Sequence, residues 1–201
     1  MATRRIEEFL TGNRVAYSTI NHRCAYTAQE IAQTSHIPGK SLAKSVIIML
    51  DGKLAMVAVP ATRYLDLTKL EEQFFDRSVR LANEDDFCNR FDGCQLGTVP
   101  PLGNLFGLET FVDRSLTGEE YIAFNAGTHT DVFMIRYSDF VRVVQPRIVD
   151  ASVEVAARIG SKRPARRRRD DDGDDRRSEP ETSDMAQAEC GCPILHHSGA
   201  D

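Results

Sequence analysis

The sequence predicts an α+β fold in one folded domain, residues 1–150, followed by a low-complexity charged tail, residues 151–201. Strand-like apolar runs come in adjacent pairs joined by turn residues, and short helical patterns are scattered among them instead of alternating regularly with single strands, which argues against a doubly wound parallel sheet. The tail differs in composition: Lys162-Arg-Pro-Ala-Arg-Arg-Arg-Arg169 is followed at once by Asp170-Asp-Asp-Gly-Asp-Asp175, and large apolar residues are nearly absent from residues 161–184. Such a segment buries too little surface to offset chain entropy, so the tail reads as disordered.

Each element has a local cause. Residues 5–10 pattern as a short amphipathic helix, and residues 15–20 alternate like a strand. Thr27 and Glu30 have capping-box spacing ahead of Ile31, which predicts a helix over residues 27–35. The runs 45–50 and 54–59 flank Asp51-Gly52, the strongest hairpin signal in the chain. Asp66 can cap a helix running to Phe74. Residues 79–82 form a strand, and Asn83 caps a helix to Phe91. Residues 109–112, 121–125 and 131–135 are strands, and a closing helix over residues 138–144 stops before Pro146.

Composition bounds the function. Hydrophobic residues make up 41% and charged residues 27% of the 201 positions, as in ordinary globular proteins. No apolar run approaches the roughly 20 residues of a membrane span, and the charged start lacks a signal-peptide pattern, so a cytoplasmic location and no membrane partner are expected. The five cysteines, Cys24, Cys88, Cys94, Cys190 and Cys192, are odd in number and scattered, unlike a disulfide framework. A net charge of −5 advertises no global nucleic-acid binder; no DNA partner is expected, and any RNA contact must use a local patch. The P-loop and the Gly-x-Ser-x-Gly elbow are both missing. Cys190, Cys192, His196 and His197 match no zinc spacing and read as accidental ligands in the tail.

Three segments carry candidate chemistry. Lys44 precedes a buried-looking strand, where an ammonium could hold a phosphate or polarise an ester carbonyl; taken alone, a solvated strand-end lysine is the simpler reading. Gly97-Thr-Val-Pro-Pro-Leu-Gly103 is stiffened by Pro100 and Pro101, while its glycines allow close backbone approach to a ligand; a rigid connection fits equally. Asn125-Ala-Gly-Thr-His-Thr130 joins two strands with small and polar residues, and His129 could bond a substrate or a water; a hairpin turn with a surface histidine is the plain alternative.

Taken together and in this order, Leu42-Ala-Lys44-Ser-Val-Ile, the 97–103 loop and Phe124-Asn-Ala-Gly-Thr-His129-Thr-Asp resemble the YbaK/ProX family, editing domains related to the insertion domain of bacterial prolyl-tRNA synthetase. The resemblance runs from Ile6 to Pro146. It implies a mixed, barrel-like sheet flanked by short helices, and hydrolysis of the ester between a small amino acid and the 3′ end of a mischarged tRNA, by a free-standing enzyme needing no cofactor or metal. Carried across, Lys44, Gly127 and His129 are the catalytic positions, and Ser45, Gly97, Val99, Pro100, Pro101, Gly103, Asn125 and Thr128 bind substrate. Ser45 stands where an alanine-specific branch has Asn, so alanine, serine and cysteine stay open. The same pocket would also suit a module that binds an amino acid or aminoacyl-RNA without turnover, and the tail would suit a scaffold that recruits a partner.

Overall fold

The computed structural model describes residues 2–75, 77–87 and 90–154. The charged tail, with Cys190, Cys192, His196 and His197, lies outside them, as does Cys88. All described residues fall within one unit, Met1–Arg163.

Helix α1 (Ala2–Gly12) buries Ala2, Ile6 and Leu10, a stripe spaced by four residues along one face. Strand β1 (Tyr17–Asn21) leads to α2 (Ala28–Thr34), where the capping box forms: the Glu30 amide donates to Thr27 Oγ1 at 3.2 Å, and the Glu30 carboxylate accepts from the Thr27 amide at 3.2 Å. Strands β2 (Ala43–Leu50) and β3 (Lys53–Pro60) pair over their whole length, from Ala43 opposite Pro60 to Leu50 opposite Lys53. Their turn places Asp51 and Gly52 at φ 50° and 75°, the left-handed pair that a two-residue hairpin requires.

Strand β4 (Arg63–Leu65) precedes α3 (Leu67–Gln73), whose cap Asp66 accepts from the Thr68 and Lys69 amides. After β5 (Val79–Leu81), helix α4 covers only Glu84–Phe87, shorter than the 83–91 helix expected. The Asn83 amide and both outer nitrogens of Arg80 instead converge on the Asp86 carboxylate and hold its pKa at about 2. Beyond it, the Arg90 amide donates to the Phe87 carbonyl at 2.9 Å. A 3-10 turn at Gly103–Phe106 precedes β6 (Glu109–Asp113), and another at Arg114–Leu116 precedes β7 (Tyr121–Asn125). Strand β8 (Asp131–Arg136), α5 (Tyr137–Val144), β9 (Arg147–Val149) and β10 (Ser152–Glu154) complete the described chain.

The α+β class holds, but the strands form three open sheets and no closed barrel. A five-stranded sheet runs β5-β2-β3-β6-β9, antiparallel except for the parallel β3–β6 and β6–β9 pairs; β1-β8-β7 is antiparallel, and β10 pairs with β4. The two larger sheets meet at a single bridge, Leu42 with Ala123. Closure would need β2 to continue backwards along β7. It cannot, because the Ser41 and Leu42 amides both turn back onto the Pro38 carbonyl, at 2.9 and 3.2 Å. Between the sheets lie Phe124, Phe133 and Phe140, each fully buried, with Ile6 and Leu10 of α1 packed on them. Burying each such side chain contributes about 1.5–3 kcal/mol, against about 0–1 for an exposed ion pair such as Arg4–Glu8. Among the described residues no helix is long and apolar enough to cross a membrane.

Candidate active site

The seam where β2 leaves β7 opens a cleft. Its walls come from the start of β2 (Ala43, Lys44, Ser45), from Tyr26, Ala28 and Ile31 at α2, from Gly97 and Val99, and from Asn125 at the end of β7, around a free volume of about 30 Å³. Lys44 is half-buried, and its Nζ lies 4.8 Å from the centre of the Tyr64 ring. Among the described residues no carboxylate pairs with it, and burial pushes its pKa below that of an ordinary lysine. Ser45 Oγ and Asn125 Oδ1 are buried with no hydrogen-bond partner among the described residues. An unsatisfied buried polar atom costs about 1–3 kcal/mol. Both belong to residues that line the cleft with Lys44.

The two glycine-bearing loops are fastened to each other behind this cleft. The Gly127 amide donates to the Thr98 carbonyl at 3.2 Å, the Gln95 amide donates to the Gly127 carbonyl at 3.0 Å, and the His129 amide donates to Gln95 Oε1 at 2.8 Å. Thr128 Oγ1 donates to the Asp131 carboxylate at 2.6 Å and accepts from the Asp131 amide at 3.0 Å, which closes the turn internally. The Gly127 amide is therefore spent on the loop and is not available as an oxyanion donor. The amides of Gly97 and Val99, by contrast, have no partner among the described residues. His129 stands one layer back from the cleft: its ring lies against Tyr26 with centroids 4.8 Å apart, and its Nδ1 is buried without a partner.

Of the residues singled out from sequence, the fold brings Lys44, Ser45, Gly97, Val99 and Asn125 together around the cleft. It sets Gly127, Thr128 and His129 behind it, and it buries Pro100, Pro101 and Gly103 away from it. Gly103 serves packing: a Cβ there would fall far inside contact with Thr110 Oγ1 and 3.0 Å from the Leu108 carbonyl. Gly103→Ala is thus expected to lower stability by about 1–3 kcal/mol, read as a shifted urea midpoint with an unchanged slope. Tyr26, Ala28, Ile31 and Leu42 also line the cleft and were not anticipated; only the capping box beside Tyr26 hinted at an ordered position. Among the described residues no group of three His, Cys, Asp or Glu side chains is placed to hold a metal.

Residues 22–143 match the family of aminoacyl-tRNA editing domains, more than half of the chain. The chain belongs to this family. The editing domain takes in the whole cleft from Tyr26 to Asn125 and leaves α1 outside the matched span. Proline–tRNA ligase 1 of Streptomyces avermitilis is 32% identical over 77 residues, which are 38% of this chain and 14% of the ligase. The chain thus spans about a seventh of the length of that curated relative. Among solved structures, a candidate trans-editing enzyme for prolyl-tRNA synthetase superposes with a TM-score of 0.66 at 20% identity, covering 76% of this chain and 97% of that one. A candidate signal transduction protein from Marinobacter aquaeolei VT8 superposes at 0.63 and 21% identity, covering 76% of this chain and 31% of that one. At these identities the structures share the editing domain's fold.

Proposed function

We propose that this editing domain is a deacylase acting in trans, which hydrolyses the ester joining a small amino acid to the 3′ end of a mischarged tRNA in the cytoplasm. The observation that carries the reading is the unpaired, half-buried Lys44 ammonium at a narrow cleft with two partnerless oxygens. Lys44 draws the anionic 3′ end and stabilises negative charge as water adds to the ester carbonyl. The free Gly97 and Val99 amides supply donors to the tetrahedral oxyanion, and a ribose hydroxyl of the substrate assists proton transfer to the leaving 3′ or 2′ oxygen. The products are the free amino acid and the uncharged tRNA.

Ala28, Ala43 and Ser45 beside Ile31 and Leu42 give the cleft a lining of mostly short side chains, which suits a small amino acid. Serine or cysteine would add a donor for Ser45 Oγ or Asn125 Oδ1. A synthetase pocket separates neighbours differing by one methylene by only about 1–3 kcal/mol, so a second site that admits only the smaller product supplies the missing selectivity.

In an assay of deacylation against tRNAs charged with alanine, serine, cysteine and proline, multiple turnover is expected on at least one of the first three and not on the prolyl species. Stoichiometric binding without release would instead identify a binding module.

A further inference from the structure

We propose that Tyr26 is the platform on which the terminal base of the tRNA stacks; this rests on the editing reading. The ring is 73% exposed yet lines the same cleft as Lys44. Its backbone is not loose: the Tyr26 amide donates to the Glu30 carboxylate at 3.1 Å, and the neighbouring Ala25 amide donates to the His129 carbonyl at 3.3 Å. The ring is backed by the His129 imidazole at 4.8 Å, with 54° between the planes. Leu96, 64% exposed, precedes cleft-lining Gly97 in the chain.

An aromatic face kept in water by a pinned backbone is ordered before any ligand arrives, so little further entropy is lost when a flat partner covers it. The substrate supplies such a partner in the right place. With the ester carbonyl at Lys44, the base is one ribose away, within the reach of exposed, cleft-lining Tyr26. Base–aromatic stacking tolerates any base, since each has a π-face. The same geometry gives His129 a role as a positioning residue that buttresses the ring, which explains why it sits behind the cleft.

Two measurements on the full chain test this. Adenosine 5′-monophosphate is titrated into wild type, Tyr26→Phe and Tyr26→Ala, with binding followed by NMR; the Tyr26 ring signals of wild type are expected to move and saturate, Phe to bind alike, and Ala to lose binding. Deacylation kinetics are then compared on the aminoacyl-tRNA that wild type cleaves best. Tyr26→Ala is expected to raise KM about 10- to 100-fold with kcat little changed, and Tyr26→Phe to stay near wild type. Equal nucleotide binding by wild type and Tyr26→Ala overturns the platform. So does a Phe variant as impaired as Ala, which would move the role to the hydroxyl. Nucleotide binding at Tyr26 in a wild type that cleaves no aminoacyl ester overturns the deacylase and leaves the platform standing.

Discussion

Lys44→Ala is expected to cut deacylation by about 10²–10³ while the protein stays folded, because the substitution removes the only cation lining the cleft among the described residues and no buried hydrogen bond with it. Its pH dependence carries a definite sign. Burial holds the Lys44 pKa below the ordinary lysine value, so the ammonium is lost as pH rises through that lowered value, earlier than for an exposed lysine. If the cation does the work, enzymatic hydrolysis, corrected for the spontaneous reaction, falls along an alkaline limb. Lys44→Arg should flatten that limb, since a guanidinium keeps its charge. A neutral lysine acting as base would produce the opposite, a rate that climbs through the same window. Stability offers a second readout. Folding penalises the charged form at neutral pH and relieves the penalty as pH rises from the folded value toward the ordinary one. Lys44→Met should therefore leave the melting temperature unchanged or higher at pH 7 while abolishing turnover, the trade expected where a site is kept for function. A folded Lys44→Ala that retains full activity would remove the lysine from the mechanism.

Gly127→Ala is expected to destabilise the protein by about 2–4 kcal/mol, from two separable causes. Its φ of 84° is left-handed, which an L side chain adopts only with strain, and a Cβ would lie 2.6 Å from the Cβ of Ala2. The first turn of α1 would be pushed off the 125–130 loop, which Thr3 grips through its Oγ1 on the Ala126 carbonyl at 2.9 Å. Ala2→Gly removes the clash and leaves the backbone strain, so the double variant should recover part of the loss. Denaturant unfolding of the four proteins in this cycle measures the coupling. The Gly127 amide also ties the loop to Thr98, so kcat/KM should fall even under conditions where the variant remains folded. A Gly127→Ala protein as stable as wild type, or a double variant with strictly additive losses, would show that α1 does not bear on this loop.

Local signals explain why much of the fold could be read directly. Thr27 and Asp66 place helix starts because their side-chain oxygens are the natural partners of amides that the first helical turn leaves free. Asp51-Gly52 places the hairpin because few residue pairs accept two left-handed positions in succession. The short strands β4, β9 and β10 escaped notice because three residues carry no period, and each exists only through a partner distant in sequence, as Ser152 opposite Leu65 shows. Asn83 does stand just before α4, where its amide donates to the Asp86 carboxylate as at a helix start, but the described helix ends at Phe87.

The site divides along the same line. Sequence by itself determined the residue types and the order of the three segments, and hence the family, because an ammonium, small loop residues and a polar strand end are covalent facts. Tertiary structure alone decided which of them face one another. It gathered Lys44, Ser45 and Asn125 around one cleft, consumed the Gly127 amide in holding two loops together, retired Gly103 to packing against Thr110, and brought in Tyr26. Hydrogen bonds between loops some 30 residues apart, and the volume left between packed side chains, depend on three-dimensional distances that no linear spacing encodes.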